Sequence, residues 1–161
     1  GCKLKDKKIG SFGDIVCFSF DGIKNITSGE GGCVVTSDNK VQEYIRESRL
    51  LGIKKDTENR YLGNRSWEFD VEQQGYRYHM SDINAAIGIV QLKRFSIFQK
   101  KRMLLAKNYD QIFHNSAFIS TFHRNYNEIT PHIYAVRLLV PNSREKLQNY
   151  LLDQVIQTGY H

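Results

Sequence analysis

The sequence is poor in the features that mark specialised chain classes. With 2 prolines and 12 glycines in 161 residues, and neither an internal repeat nor a low-complexity tract, it is not fibrous, collagenous or disordered. Its 3 cysteines, Cys2, Cys17 and Cys33, are an odd number without metal-ligand spacing. They argue against a disulfide framework and a metal site, and read as free thiols in a reducing cytoplasm. No apolar run approaches the roughly 20 residues of a membrane helix, and the opening GCKLKDKKIG lacks the apolar segment of a signal peptide. A soluble, cytoplasmic protein with no membrane partner is expected.

What is present is a core-forming share of apolar residues, 40%, and a net charge of +6. Such a charge invites a nucleic-acid reading. In KRFSIFQKKR and DNKVQEYIRESR, however, the basic residues are spread among polar and acidic ones at helical spacing, as on solvated helix faces. No nucleic-acid partner is expected. A small anionic ligand, a phosphate or nucleotide, accounts for the same excess.

Along the chain, Ile15 to Phe20 (IVCFSF) reads as a buried strand and Cys33 to Thr36 (CVVT) as a second one after a glycine-rich turn. Asp38 is placed to cap a helix with Val41, Tyr44, Ile45, Ser48 and Leu51 on one face, and Gly52 to close it in the left-handed conformation. Ile53 to Gln74 has no periodicity and reads as a long loop, a kind that is usually functional. A long helix starts at Ser81 or Asp82, with a first stripe of Ile83, Ala86, Ile87 and Val90, continued by Phe98, Leu105, Tyr109 and Ile112. Its length suggests passage from one domain to another. An irregular polar stretch follows Phe113. Ile133 to Val140 (IYAVRLLV) alternates as a strand, Pro141 ends it, and Ser143 is expected to cap a last helix carrying Leu147, Tyr150, Leu151 and Val155 on one side. This order of elements gives an α/β class.

The most informative stretch is Ser19 to Gly32, SFDGIKNITSGEGG. A lysine just after a strand, followed by hydroxyls and glycines, combines an amine, donors for a phosphate, and backbone that a ligand can approach closely. These are the ingredients of a Schiff-base site. Taken one at a time, they also describe a surface lysine beside a glycine turn.

The stretch resembles the lysine motif of the DegT/DnrJ-type nucleotide-sugar aminotransferases, a pyridoxal-phosphate family of the aspartate-aminotransferase fold. The likeness is carried by Ser19, Phe20, Lys24, Ile26, Thr27, Gly29, Glu30, Gly31, Gly32, Val35 and Thr36. It extends to GYRYHMSDINAAIGIVQLKR, in which Gly75, Tyr76, Tyr78, Ser81, Asp82, Ala85, Ala86, Gly88, Gln91 and Leu92 fit a second signature, and to VIQTGYH at Val155 to His161. It covers nearly the whole chain.

The resemblance implies the carboxyl-terminal part of the large, mainly parallel α/β domain over residues 1–95. It implies a linker helix and an incomplete small α+β domain over 96–161. Lys24 would bind pyridoxal 5'-phosphate covalently and shuttle the proton during transamination, Ser19 would contact the cofactor phosphate, and His161 would face the substrate. Where many relatives have an asparagine that reaches the cofactor phosphate of the partner subunit, this chain has Arg77, followed by His79; a guanidinium suits phosphate oxygens. Leu51 replaces a histidine common in relatives and receives no role.

The same resemblance implies that the phosphate-cradling helix, the ring-stacking aromatic and the Asp that pairs with the pyridine nitrogen precede Gly1. The chain is thus expected to be an internal piece, cut at both ends. The expected activity is transfer of an amino group, from glutamate, to a nucleotide-linked keto-sugar for a surface polysaccharide or O-antigen, by a homodimer. The similarity leans toward a 4-keto-6-deoxy sugar on a thymidine carrier. The alternatives are a truncated, non-catalytic piece acting only by association and, more remotely, a basic nucleic-acid binder.

Overall fold

A computed structural model describes residues 1–54, 62–63 and 70–159. Its elements, in order, are β1 (Lys3–Leu4), β2 (Lys7–Lys8), β3 (Ile15–Ser19), β4 (Gly32–Thr36), α1 (Asn39–Ser48), α2 (Asp82–Phe113), β5 (Ile119–Thr121), β6 (Val136–Leu138) and α3 (Arg144–Asp153). The chain divides into two compact units, one of Lys7–Arg94 and one of Gly1–Asp6 with Phe95–His161. The mixture of helices and strands is that of the α/β class expected.

In the first unit β3 and β4 form an antiparallel pair in the register Ile15↔Thr36 to Ser19↔Gly32. Both were expected as strands from their apolar runs. Their faces are open on this chain: Ile15 is 53% exposed, Val34 40% and Val35 39%, so the buried strand that was expected is half uncovered. A glycine at position 32 is required by the pairing, because a Cβ there would sit 2.5 Å from the Phe18 carbonyl oxygen.

Helix α1 forms as its sequence dictates. Asp38 adopts extended backbone and its carboxylate accepts from the N–H groups of Lys40 at 2.8 Å and Val41 at 3.3 Å, satisfying two donors that the first turn leaves free. The helix ends in a left-handed turn in which both Leu51 (φ 60°) and Gly52 (φ 76°) take part, and the Gly52 N–H returns to the Glu47 carbonyl at 3.0 Å. Much of the long loop expected between Ile53 and Gln74 lies outside the described residues.

Helix α2, 32 residues long, begins where expected, with the Ser81 hydroxyl accepting from the Asn84 N–H at 3.2 Å. Its inward face is another matter. Ile83, Ile87 and Val90 are 75%, 43% and 52% exposed, while Asn84, Ala85, Gly88 and Gln91 are half-buried. In this chain the helix therefore turns its small and amide residues to the lysine turn, and the apolar stripe expected to pack is left open. Farther along, Phe98 is half-buried, whereas Leu105, Tyr109 and Ile112 are exposed and Ala106 is buried.

In the second unit the strand expected over Ile133 to Val140 shrinks to β6, which pairs antiparallel with β5 (Ile119↔Leu138 to Thr121↔Val136). At its lost start a competing hydrogen bond is present. Arg124 donates to the Ala135 carbonyl at 2.8 Å, so that acceptor is met by a side chain rather than by a ladder, and Arg102 takes the carbonyl of His132, just before the expected strand, at 2.8 Å. The partner strand β5 lies in the stretch read as irregular. Ser143 stands at the start of α3, but makes no side-chain cap bond; its hydroxyl donates to the Val140 carbonyl at 2.7 Å instead. Val155, expected on the apolar side of α3, lies beyond the helix end with φ 61° and is 90% exposed.

Candidate active site

The lysine loop leaves β3 at Ser19 and Phe20. The Ser19 side chain is exposed at the strand end and its oxygen accepts from the Asp21 N–H at 3.3 Å, which leaves the hydroxyl hydrogen free to donate. Asp21 in turn accepts from the Ile23 N–H through its carboxylate, at 3.1 Å, and from the Lys24 N–H through its carbonyl, at 3.0 Å. One short turn thus places Ser19 and Lys24 on the same loop, as the sequence implied. Lys24 is half-buried, and among the described residues no hydrogen bond or ion pair engages its amine. The neighbouring Asn25 buries its side-chain oxygen without a partner.

The loop closes on itself at Phe20. The Phe20 carbonyl accepts from the Ser28 N–H at 2.9 Å and from the Thr27 hydroxyl at 3.2 Å, while the Phe20 N–H donates to the Gly31 carbonyl at 2.8 Å. Gly29 (φ 82°) and Gly31 (φ 125°) then turn the chain into β4, conformations that disfavour any side chain. A Cβ on Gly31 would also meet the Met80 methyl at 2.6 Å.

Ser28 fastens this turn to helix α2. It is fully buried, with 0% exposure, and its hydroxyl donates to the Glu30 carbonyl at 2.7 Å. The same carbonyl accepts from the Asn84 side chain at 3.4 Å, and a Cβ built on Gly88 would touch the Ser28 Cβ at 3.4 Å. Small residues on α2 thereby let the lysine loop sit directly on the helix. Reading by apolar periodicity missed this face, because its residues are Asn84, Ala85 and Gly88; the conspicuous isoleucines lie elsewhere.

Arg77 lies on a separate segment that crosses the end of α1. Leu51 donates to the Tyr76 carbonyl at 3.0 Å, Tyr76 to the Ser48 carbonyl at 2.6 Å and Tyr78 to the Arg49 carbonyl at 2.9 Å. Two glycines allow the crossing: a Cβ on Gly75 would land on the backbone of Leu51 and Gly52, and one on Gly52 would land on the Gln73 carbonyl. Tyr76 and Tyr78 stack on one side at 5.2 Å, leaving Arg77 and His79 exposed. Among the described residues nothing joins Arg77 to Ser19 or Lys24, and no hydrogen bond or ion pair engages its guanidinium. His161, expected to face substrate, lies outside the described residues. Cys17 and Cys33 are free thiols on the paired strands; burial, and then Cys17, push the Cys33 thiol up.

These elements are shared with sugar-modifying aminotransferases. The Streptococcus pneumoniae protein Spr1654, solved in PLP and PMP forms, superposes with TM-scores of 0.82 and 0.85 at 26% and 27% identity, over 98% and 100% of this chain and 40% and 41% of that one. The chain belongs to the DegT/DnrJ/EryC1/StrS aminotransferase family, which it matches over residues 1–161. It is 38% identical over 135 residues to the spore coat polysaccharide biosynthesis protein SpsC of Bacillus subtilis, covering 83% of this chain and 35% of that protein. With the UDP-4-amino-4,6-dideoxy-N-acetyl-beta-L-altrosamine transaminase of Campylobacter jejuni it shares 34% identity over 165 residues, which is 100% of this chain and 42% of the relative. It therefore spans less than half the length of these relatives.

Proposed function

We propose that this chain is part of a pyridoxal-phosphate-dependent aminotransferase that moves an amino group from glutamate to a nucleotide-linked keto-sugar for a surface polysaccharide. The observation that carries this reading is the lysine loop, in which a half-buried Lys24 shares one short turn with an exposed hydroxyl at a strand end. The names of the Bacillus and Campylobacter relatives support the polysaccharide role and a 4-keto-6-deoxy sugar. The Campylobacter name carries UDP, so uridine stands beside thymidine as a carrier.

The residues present fit pyridoxal phosphate. Ser19 has a hydroxyl hydrogen to donate, Arg77 an unengaged guanidinium, and Lys24 an amine; phosphate oxygens accept from the first two, and an aldehyde takes the third. When bound, the cofactor accommodates the electron pair released as the C–H bond beside an amino group breaks. Lys24 would hold the cofactor through Nζ at rest, and its free amine would carry the proton between the amino-acid carbon and the cofactor carbon during transamination. Ser19 orients the phosphate. Arg77 serves the cofactor of the neighbouring subunit in a cytoplasmic homodimer, by charge-assisted hydrogen bonds that replace the usual amide.

The second reading, a non-catalytic piece that acts by association, draws on the open apolar faces of β3 and β4. One assay separates the two. The full-length protein is incubated with glutamate and UDP- or thymidine-linked 4-keto-6-deoxy sugars, and amino-sugar formation is followed with 2-oxoglutarate release. Matched yields of both products, lost in Lys24→Ala, are expected. No amino-sugar from any keto-sugar offered would overturn the enzymatic reading.

A further inference from the structure

We infer that Thr27 is a positioning residue for Lys24: its hydroxyl closes the neck of the lysine loop and so sets how strongly Lys24 holds the cofactor's carbonyl carbon. This rests on the reading of Lys24 as the cofactor lysine. Thr27 Oγ1 donates to the Phe20 carbonyl at 3.2 Å and accepts from the Gly29 N–H at 2.9 Å. The first bond ties the far end of the loop to the residue after β3, and the second ties it to the glycine turn.

Other bonds at the neck come from backbone. Ser28 N–H to the Phe20 carbonyl, at 2.9 Å, and Phe20 N–H to the Gly31 carbonyl, at 2.8 Å, need no particular side chain. The Ser28 hydroxyl is turned to Glu30 and the Ser19 hydroxyl to Asp21, so neither spans the neck. Among the described residues the Thr27 hydroxyl is therefore the side-chain group that joins the two ends of the loop. Between them Lys24 is restrained by its own N–H to the Asp21 carbonyl at 3.0 Å.

Attachment of the cofactor is an intramolecular condensation: Nζ adds to the aldehyde carbon, water leaves, and a C=N bond replaces C=O. Its equilibrium depends on the effective concentration of the amine at that carbon. A loosened neck spreads Nζ over more positions and lowers that concentration. Loss of one neutral hydrogen bond corresponds to about a fivefold change in an equilibrium constant.

A competition in the full-length holoenzyme tests this. Methylamine is titrated against the bound cofactor, exchanging its nitrogen for that of Lys24 at the carbonyl carbon. At each concentration borohydride fixes the cofactor still joined to Lys24, which is counted by peptide mapping. The expected midpoint for Thr27→Val lies about fivefold or more below wild type, while Thr27→Ser, which keeps both bonds, stays within about twofold. Should Thr27→Val not fold, Thr27→Cys is compared with Thr27→Ser, since sulfur is a weak donor and acceptor, and the same ordering is expected. Coincident midpoints for the hydroxyl and non-hydroxyl variants overturn the role of Thr27. No label on Lys24 in wild type without methylamine overturns the underlying reading, and is seen before any variant is made.

Discussion

Removing one hydroxyl, in Tyr134→Phe, tests how the second unit is held together. Asp110 on α2 accepts from the Tyr134 hydroxyl at 2.6 Å, from the Tyr126 hydroxyl, and from Arg124 at 3.2 Å. Arg124 also donates to the carbonyls of Phe122 at 2.9 Å and Ala135 at 2.8 Å, and its guanidinium lies 4.2 Å from the centre of the Tyr134 ring. One carboxylate thus ties the helix to the segments flanking β5 and β6. Burial alone would raise the Asp110 carboxyl, but the two tyrosines and then Arg124 outweigh it and hold it below its ordinary value. Burial and the same carboxylate push Tyr126 up to about 12 and raise Tyr134 also.

A hydrogen bond to a charged group contributes about 1.5–3 kcal/mol. The Asp110 side chain is 29% exposed, which reduces this, and the phenyl ring keeps its stacking on Arg124. The expected loss is about 1–2 kcal/mol, read by urea denaturation of the full-length protein at neutral pH. Because Asp110 is lowered from 3.8 in the folded state, its contribution is complete above that value and fades as pH falls through the lower, folded one. The gap between wild type and Tyr134→Phe should therefore persist from neutral pH to the ordinary carboxylate range and narrow below it. Equal stability at neutral pH, or a gap that widens on acidification, would show that the bond from Tyr134 to the Asp110 carboxylate does not hold this unit together.

Arg77→Ala in the full-length protein is expected to weaken pyridoxal phosphate binding roughly tenfold or more, the loss of one charge-assisted bond, and Arg77→Asn to recover much of it; titration of cofactor into apoprotein checks both. Light scattering at working concentration should find a dimer, and an active monomer would remove the cross-subunit role of Arg77. Gly75→Ala should destabilise the first unit by about 1–3 kcal/mol or more, because the new methyl meets the backbone of Leu51 and Gly52 rather than a side chain that can turn away. Thermal melting beside a surface Ala control measures it.

What was legible in the sequence was what local chemistry decides. Asp38 caps α1 because an aspartate with extended backbone reaches the N–H groups of the first turn, and Gly52 turns left-handed because it lacks a Cβ. The lysine motif was legible because its spacing is fixed by one turn, in which Ser19 and Lys24 both engage Asp21. What was not legible depends on distant partners. Where the strand expected from Ile133 is lost, Arg124 takes the Ala135 carbonyl, and Arg102, 30 residues away, takes that of His132 just before it. The face that α2 turns to the lysine loop is polar and small, so apolar periodicity pointed to Ile83 and Ile87 instead. Ser28 and Thr27 were visible as hydroxyls in the turn; only the fold shows that one is buried against Gly88 and that the other bonds back to Phe20.

The proposed chemistry rests on Lys24 as the residue that carries the cofactor. Borohydride reduction of the full-length protein loaded with pyridoxal phosphate, followed by proteolysis and mass mapping, tests it without recourse to any sugar substrate. A single stable adduct on the peptide that contains Lys24, absent from Lys24→Ala, is expected. An adduct on another lysine, or none in protein shown to be folded, would contradict it.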